Sequence, residues 1–139
     1  MILSAITPGQ IAACHAVFAE LRPQYSLDGF VNKVQQLMRT TGFLLAYLES
    51  DGIKAVAGYR YSDWLHGGKY LDIDDLVTTA KARSQGHGGA LFDWLVQEAK
   101  HNGCRQVRLV SGVQRFDAHR FYERKGMIFE AKYFSMSVV

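Results

Sequence analysis

A glycine-rich segment lies between a strand-like run and a helical run in the middle of this sequence. The segment consists of Arg83, Ser84, Gln85, Gly86, His87, Gly88 and Gly89. The run before it, residues 70–78, has the character of a strand, and the apolar residues after it recur at helical spacing from Ala90 to Ala99. A turn of this kind gathers unpaired backbone N–H groups at the positive end of a helix dipole, and glycine lets the backbone close on an anion. The segment therefore predicts a strand, a phosphate-binding turn and a helix, with Arg83 adding a positive charge.

Neither common nucleotide-binding fingerprint is present around this turn. A P-loop needs G-x-x-x-x-G-K-[ST], and a dinucleotide-binding fold needs G-x-G-x-x-G followed by an acidic residue about 20 positions further on. A glycine cluster between a strand and a helix is also often only a tight turn. The turn alone therefore leaves both a structural and an anion-binding interpretation open.

Composition limits the class of protein. The 139 residues fit one domain, residues 1–139, long enough to form a core without disulfides or metal. No apolar run approaches the ~18 residues of a membrane span and no secretion leader begins the chain, so we expect a cytoplasmic protein without membrane association. A net charge of +3 without a basic stripe predicts no nucleic-acid binding. The two cysteines, Cys14 and Cys104, lack a matching second ligand pair, so no metal site is expected.

The hydrophobic pattern predicts alternating strands and helices. Strands are expected over residues 2–6, 43–49, 53–61, 70–78, 106–111 and 128–138. Helices are expected from residue 8 to Pro23, from about residue 28 to Thr41, after Gly89, and over 116–125. Antiparallel pairs early in the chain and a crossover helix later predict an α/β (α+β) fold with a mixed sheet covered by helices.

Two separated motifs carry a resemblance to a known family. The turn reads R-x-x-G-x-G from Arg83 to Gly88, and residues 118–127 read A-x-x-x-Y-x-x-x-G-M around Tyr122. Both resemble signatures of the GNAT family of N-acetyltransferases, with the similarity covering roughly residues 70–127. The resemblance implies a mixed, mostly antiparallel sheet of six to seven strands, about four helices, and a bulged central strand that opens a cofactor groove. It also implies acetyl-CoA as cosubstrate and direct attack by a primary amine in a ternary complex.

The resemblance further implies where acetyl-CoA binds. The pantetheine arm would pair like an added strand with Leu76, Val77 and Thr78, and the pyrophosphate would lie in the turn over residues 83–89. A backbone N–H of Leu76 or Val77 would face the acetyl carbonyl oxygen. A bulge that separates this strand from its neighbour is expected between residues 74 and 78.

Deprotonation of the acceptor amine needs a base. A lysine-like amine is neutral only about once in 2,500 molecules at pH 7, equivalent to roughly 4.6 kcal/mol. Asp72 lies eleven residues before Arg83, where several members of the resembled family carry a glutamate base, and Asp74 shares its strand face in a regular strand. Neighbouring carboxylates raise one another's pKa. The alternative, weighed about evenly, is that these aspartates are solvated or cap backbone groups.

The helix after the fifth strand carries the other candidate groups. Tyr122 stands where the resembled family places a tyrosine that protonates the departing CoA thiolate, although an isolated tyrosine more often only packs in a core. Arg115 stands where that family often has an asparagine on the pantetheine, and it either reaches a phosphate or faces water.

Three questions stay open at the level of sequence. The competing class is a non-catalytic acyl-CoA sensor or protein-interaction module. The acceptor is either a small molecule or a protein amine, and the aspartates near residue 72 favour a cationic one. The oligomeric state is undetermined, and a homodimer is allowed.

Overall fold

The structure, a computed structural model, describes all residues from 1 to 139. The chain divides into two compact units, Met1–Arg108 and Leu109–Val139, which are described separately below. The prediction of one domain over residues 1–139 stays a prediction.

One five-stranded sheet organises the chain. Its strands, in the spatial order β1-β2-β3-β4-β5, are β1 Ile2–Ser4, β2 Leu44–Glu49, β3 Ile53–Trp64, β4 Gly68–Thr78 and β5 Gln106–Leu109. The first four strands pair antiparallel with their neighbours in sequence, and β5 adds at the far edge. The helices are α1 Pro8–Ala13, α2 His15–Phe18, α3 Leu27–Thr40, α4 His87–His101 and α5 Phe116–Arg124, with a 3-10 turn over Ala80–Ala82.

The predicted α/β class and mostly antiparallel sheet are confirmed, but the predicted numbers of strands and helices are wrong. Five strands and five helices replace six to seven strands and about four helices. The first predicted helix is divided at Cys14. The Cys14 N–H donates to the Ile11 carbonyl, three residues earlier, so the α-helix gives way to a tighter turn of the 3-10 type at this point. The predicted strand over residues 128–138 does not form. An alternating pattern favours a strand, but the strand exists only where another backbone pairs with it.

Local sequence explains where several elements begin and turn. Thr7 caps α1 in a reciprocal capping box with Gln10, and Ser26 caps α3. The predicted hairpin between β2 and β3 is confirmed, and its turn contains Asp51 and Gly52, both with positive φ angles.

The core of the first unit lies on both faces of the sheet. On one face, α1, α2 and α3 bury a cluster that includes Ile11, Phe30 and Val56. On the other face, α4 packs its buried Leu91 and Leu95, and Trp94 of this helix lies edge-on to Tyr59 of β3 with ring centroids 6.2 Å apart. The sheet of the first unit is therefore covered on both sides. No helix in the chain combines the length and the apolar character that crossing a bilayer requires.

Candidate active site

A β-bulge interrupts β4 at Asp74. Gly58 of β3 lies opposite Asp75, and the next residue, Tyr59, lies opposite Ile73, so Asp74 is the extra residue on β4. The bulge predicted between residues 74 and 78 is confirmed at the first residue of that range.

The bulge changes which side chains share a face of the sheet. Ile73 lies opposite Tyr59, which contacts α4, whereas Val77 lies opposite Val56 in the cluster under α1 to α3. In a regular strand, residues four apart would lie on the same face. The inserted Asp74 reverses the alternation, so that Asp72, Asp74 and Asp75 all lie on the face of α1 to α3.

Each of these three aspartates contacts an arginine. An ion pair joins Arg22 to Asp75 at 2.7 Å, and another joins Arg60 to Asp74 at 2.5 Å. Arg108 of β5 is more distant from Asp72, with its Nε atom 3.5 Å from the carboxylate oxygen. The side chain of Asp72 is 24% exposed. The cluster is thus close to neutral, and its most loosely paired carboxylate is Asp72.

The surroundings of Asp72 raise its affinity for a proton. Burial is the largest cause and raises the pKa of the Asp72 carboxyl. The Arg108 and Arg60 guanidinium groups lower the pKa, and the Asp74 carboxylate raises it further, with a net upward shift. The predicted direction is therefore confirmed, although burial outweighs the neighbouring carboxylate as its cause.

Sequence reasoning did not find the arginines of this cluster. Arg22 lies between α2 and α3, and Arg60 and Arg108 lie on strands β3 and β5. No local motif links them to the aspartates, since they are distant in sequence. The pairing of the strands places Arg60 opposite Asp72, and the segment between α2 and α3 brings Arg22 to Asp75.

The glycine-rich turn has the backbone of an open anion site. Ser84 and Gly86 both have positive φ angles, and Gly86 precedes the first residue of α4. No side chain caps this helix, and the first backbone bond into it runs from the Ala90 N–H to the Gly86 carbonyl. The N–H groups of the first helical turn are thus left for a ligand or solvent. Arg83, Ser84, Gln85 and Gly86 are exposed, and His87, Gly88 and Gly89 are half-buried.

The start of α4 lies directly against the end of β4. A Cβ atom added to Gly88 would lie 2.7 Å from Oγ1 of Thr78, closer than real Cβ atoms approach other atoms. A larger residue at this position would therefore force Thr78 or the start of α4 to shift, whether or not a ligand is bound. The turn thus lies close to Leu76, Val77 and Thr78, the strand end predicted to pair with pantetheine.

The second unit carries Tyr122 and Arg115 on α5. Tyr122 is half-buried, and its ring lies edge-on to Phe121 at 5.4 Å between centroids. Arg115 is exposed and precedes the first residue of α5. The His119 imidazole forms a 2.8 Å hydrogen bond with the Gly112 carbonyl, which secures the loop before the helix. In that loop, the buried hydroxyl of Ser111 has no hydrogen-bond partner in the protein.

Neither cysteine is suited to be a covalent nucleophile. Burial raises the pKa of the Cys14 thiol to about 12, and burial also raises the pKa of Cys104 despite the opposing charge of Lys69. Both thiols are therefore protonated near neutral pH, and a thiol is a poor nucleophile. No group of three or more histidine, cysteine or acidic side chains is placed to hold a metal ion.

Comparison with known proteins agrees with the geometry. Residues 12–127 match the Acetyltransferase (GNAT) family. The chain is 34% identical to the uncharacterized N-acetyltransferase YhdJ of Bacillus subtilis over 129 residues, which covers 91% of each protein. It is 28% identical to the aminoalkylphosphonate N-acetyltransferase of Salmonella typhimurium over 113 residues, covering 81% of this chain and 72% of that protein.

Solved structures share the fold. The aminoglycoside N-acetyltransferase AAC(6')-Iy in complex with CoA superposes with a TM-score of 0.84 over 100% of this chain and 95% of that chain, at 12% sequence identity. The family match spans most of the chain, and the bulged strand and open glycine turn are both present. The chain therefore belongs to the GNAT family, and it is an N-acetyltransferase that transfers an acetyl group from acetyl-CoA to an amine.

Proposed function

We propose that this enzyme deprotonates its acceptor amine with Asp72 and protonates the departing CoA thiolate with Tyr122. The amine nitrogen forms a bond to the acetyl carbonyl carbon, and the thioester C–S bond breaks. The proton lost by the amine passes to Asp72, and the sulfur receives the proton of the Tyr122 hydroxyl. Transfer is direct, because neither cysteine has the lowered pKa that a covalent acetyl carrier needs.

The bulge at Asp74 is the observation that best supports this assignment. The bulge interrupts the pairing of β4 with β3 at Asp74, and Leu76 to Thr78 after it pair with β3 again. The pantetheine arm would therefore pair with the side of β4 that faces away from β3. The backbone of Leu76, Val77 and Thr78 would bind that arm, and a backbone N–H of Leu76 or Val77 would face the acetyl oxygen, where negative charge develops. The same bulge places Asp72 on the face of α1 to α3.

The phosphates would bind in the turn over residues 83–89. The uncapped start of α4 supplies N–H donors and a positive dipole end, and the exposed Arg83 supplies charge. The exposed Arg115 would contribute a further positive charge to a phosphate, and Ser111 would give its unpartnered hydroxyl to a polar group of the cosubstrate. The Gly88→Ala variant described in the Discussion tests the proposed role of the turn.

Asp72 suits the role of base better than its neighbours. Asp74 and Asp75 are engaged in ion pairs at 2.5 Å and 2.7 Å, whereas Arg108 lies 3.5 Å from Asp72. A raised pKa also makes the Asp72 carboxylate a stronger base than an ordinary aspartate. Catalysis by a base is most effective when its pKa is close to the working pH, and burial moves Asp72 in that direction.

The acceptor class follows from the charge balance near Asp72. A cationic acceptor was expected from the aspartates alone, but three arginines offset their three charges. We propose a small primary amine that also carries an anionic group, for which Arg22, with 46% of its side chain exposed, is a suitable contact. The similarity to an aminoalkylphosphonate N-acetyltransferase supports the same class.

Thiol release with a panel of amines tests this function. The panel contains an aminoalkylphosphonate, a polyamine, an aminoglycoside and a lysine peptide, each with acetyl-CoA, and the acetylated product is identified by mass. We expect the highest kcat/KM for the aminoalkylphosphonate. A higher kcat/KM for the polyamine would refute the acceptor class, and acetyl-CoA binding without transfer to any amine would favour an acyl-CoA sensor. The cytoplasmic location expected from the sequence stays a prediction, and the homodimer that the sequence allows stays untested.

A further inference from the structure

Arg108 is the arginine of the site that lies against aromatic rings. Its guanidinium carbon is 5.0 Å from the ring centre of Trp64 and 5.1 Å from that of Tyr70. The centres of the two rings are themselves 5.0 Å apart, so the three groups form one cluster. Stacking on aromatic faces attracts a guanidinium and restricts a side chain that is otherwise mobile. Arg108 is therefore held in place before any ligand binds.

The sheet brings this cluster to the face that carries the proposed base. Tyr70 lies two residues before Asp72 on β4, and Trp64 lies four residues after Arg60, which is opposite Asp72 on β3. Residues an even number apart on a regular strand share a face. The bulge at Asp74 lies beyond this part of the two strands. Trp64 and Tyr70 therefore lie on the same face as Asp72.

The pairing of Arg108 with Asp72 leaves donors for a ligand. The nearest guanidinium atom is Nε, which at 3.5 Å from the carboxylate oxygen is at the outer limit of a hydrogen bond. Most of the five N–H donors of a guanidinium belong to its two Nη groups. The side chains of Arg108 and Asp72 are 32% and 24% exposed, so a small ligand reaches both. Arg22, in contrast, already directs both Nε and an Nη atom at Asp75.

We propose that Arg108, held in place by Trp64 and Tyr70, binds the anionic group of the acceptor. This role rests on the proposed function, in which Asp72 receives the proton of the amine. The planar guanidinium suits a carboxylate, a phosphate or a phosphonate, because each offers at least two oxygens to its fork of donors. Three arginines already offset three aspartates here, so an acceptor with one cationic and one anionic group keeps the site close to neutral.

The short distance between Arg108 and Asp72 also limits the length of the acceptor. The amine nitrogen must approach the Asp72 carboxylate while an anion oxygen approaches an Arg108 nitrogen, each to within about 2.7–3.2 Å. Because the two side chains are 3.5 Å apart at Nε, the amine and the anionic group must lie close together in one molecule. At bond lengths of about 1.5 Å, about one or two carbon atoms fit between them. A polyamine or a protein lysine has no anionic group in that position.

Calorimetry with CoA bound tests this site without requiring turnover. The probes are 2-aminoethylphosphonate and 4-aminobutylphosphonate, which carry the same charged groups at different spacing. We expect the wild-type protein to bind the shorter probe at least about tenfold more tightly. Arg108→Gln should weaken binding of the shorter probe by about 10-fold to 100-fold, as for the loss of a charge-assisted hydrogen bond, and should abolish the preference for it. A merely structural role of Arg108 would weaken both probes alike and leave the preference intact.

Matched variants control for charge and for folding. Arg105→Gln removes the same charge from an exposed arginine just before β5 and should keep the wild-type affinity and preference. Arg108→Lys keeps the charge without the planar fork, so it should bind the shorter probe with intermediate affinity. Trp64→Leu, which removes one of the two rings, should weaken the shorter probe by about threefold. CoA affinity, measured first, verifies that each variant is folded.

Three results would overturn the role of Arg108. They are a wild-type protein that binds the longer probe as tightly as the shorter one or binds neither, an Arg108→Gln variant that keeps the preference, and an Arg105→Gln variant that loses it as strongly as Arg108→Gln. Turnover separates this role from the proposed function. Wild-type kcat in Asp72→Asn would refute the base, whereas the calorimetric preference alone decides whether Arg108 binds the anionic group.

Discussion

Replacing Gly88 by alanine tests how the start of α4 is held against β4. The new Cβ atom would lie 2.7 Å from Thr78 Oγ1, whereas ordinary contact begins at 3.4 Å. The Thr78 side chain, the helix start or the strand end must therefore shift by about 0.7 Å, the difference between these distances, and overpacking of this kind costs about 1–3 kcal/mol. Because the turn moves with the helix, the shift would disrupt a hydrogen bond from the turn to a phosphate. Losing one such charge-assisted hydrogen bond costs about 1.5–3 kcal/mol. We therefore expect CoA to bind about 10-fold to 100-fold more weakly.

Removal of Thr78 Oγ1 supplies the matched control. Thr78→Ala alone should bind CoA like the wild type, because only the backbone of Thr78 is proposed to contact the cosubstrate. Gly88→Ala/Thr78→Ala should recover most of the lost affinity and of the lost stability to urea, because the obstructing atom is absent. Calorimetry measures the affinities. Unchanged affinity in Gly88→Ala, or a double variant as weak as Gly88→Ala, would refute this explanation of the glycine.

Three further variants probe the proposed chemistry and the bulge. Asp72→Asn should lower kcat by about 10²–10⁴-fold at pH 7. Because the pKa of Asp72 is raised, the wild-type rate should fall as pH drops through a value above that of an ordinary aspartate. The variant should lack that decline and recover partly at alkaline pH, and an unchanged pH–rate profile would exclude Asp72 as the base. Tyr122→Phe should keep CoA affinity and lower kcat by about 10²–10⁴-fold, and wild-type kcat would remove its role as acid. Gly58→Ala would place a Cβ atom 2.5 Å from Cζ of Phe43, so urea unfolding should show a loss of about 1–3 kcal/mol, and no loss would contradict the packing at the bulge.

Much of the fold could be predicted because local rules decide it. The capped starts of α1 and α3, the Asp51-Gly52 hairpin and the strand, turn and helix around Gly86 each depend on a few neighbouring residues. The family resemblance added the bulge in β4, which no periodicity indicates. The exact position of the bulge determines the site, because the one inserted residue decides on which face of the sheet Asp75 lies.

The rest depends on partners that are distant in sequence. The arginines opposite the aspartates follow from strand register and from the position of the segment between α2 and α3. The sequence therefore predicted a negatively charged cluster, whereas in the folded protein three arginines offset the charges of the three aspartates. The strand over residues 128–138 has the right pattern, but a pattern cannot supply the second backbone that a strand needs.

The central claim is direct transfer from acetyl-CoA to an amine, and initial-velocity kinetics test it most directly. Both substrates are varied together, with the best acceptor from the panel, and the enzyme is examined by intact mass after incubation with acetyl-CoA alone. Attack in a ternary complex predicts reciprocal plots that intersect and an enzyme mass without an acetyl group, in keeping with the protonated thiols of Cys14 and Cys104. Parallel reciprocal plots together with a stably acetylated enzyme would contradict the account.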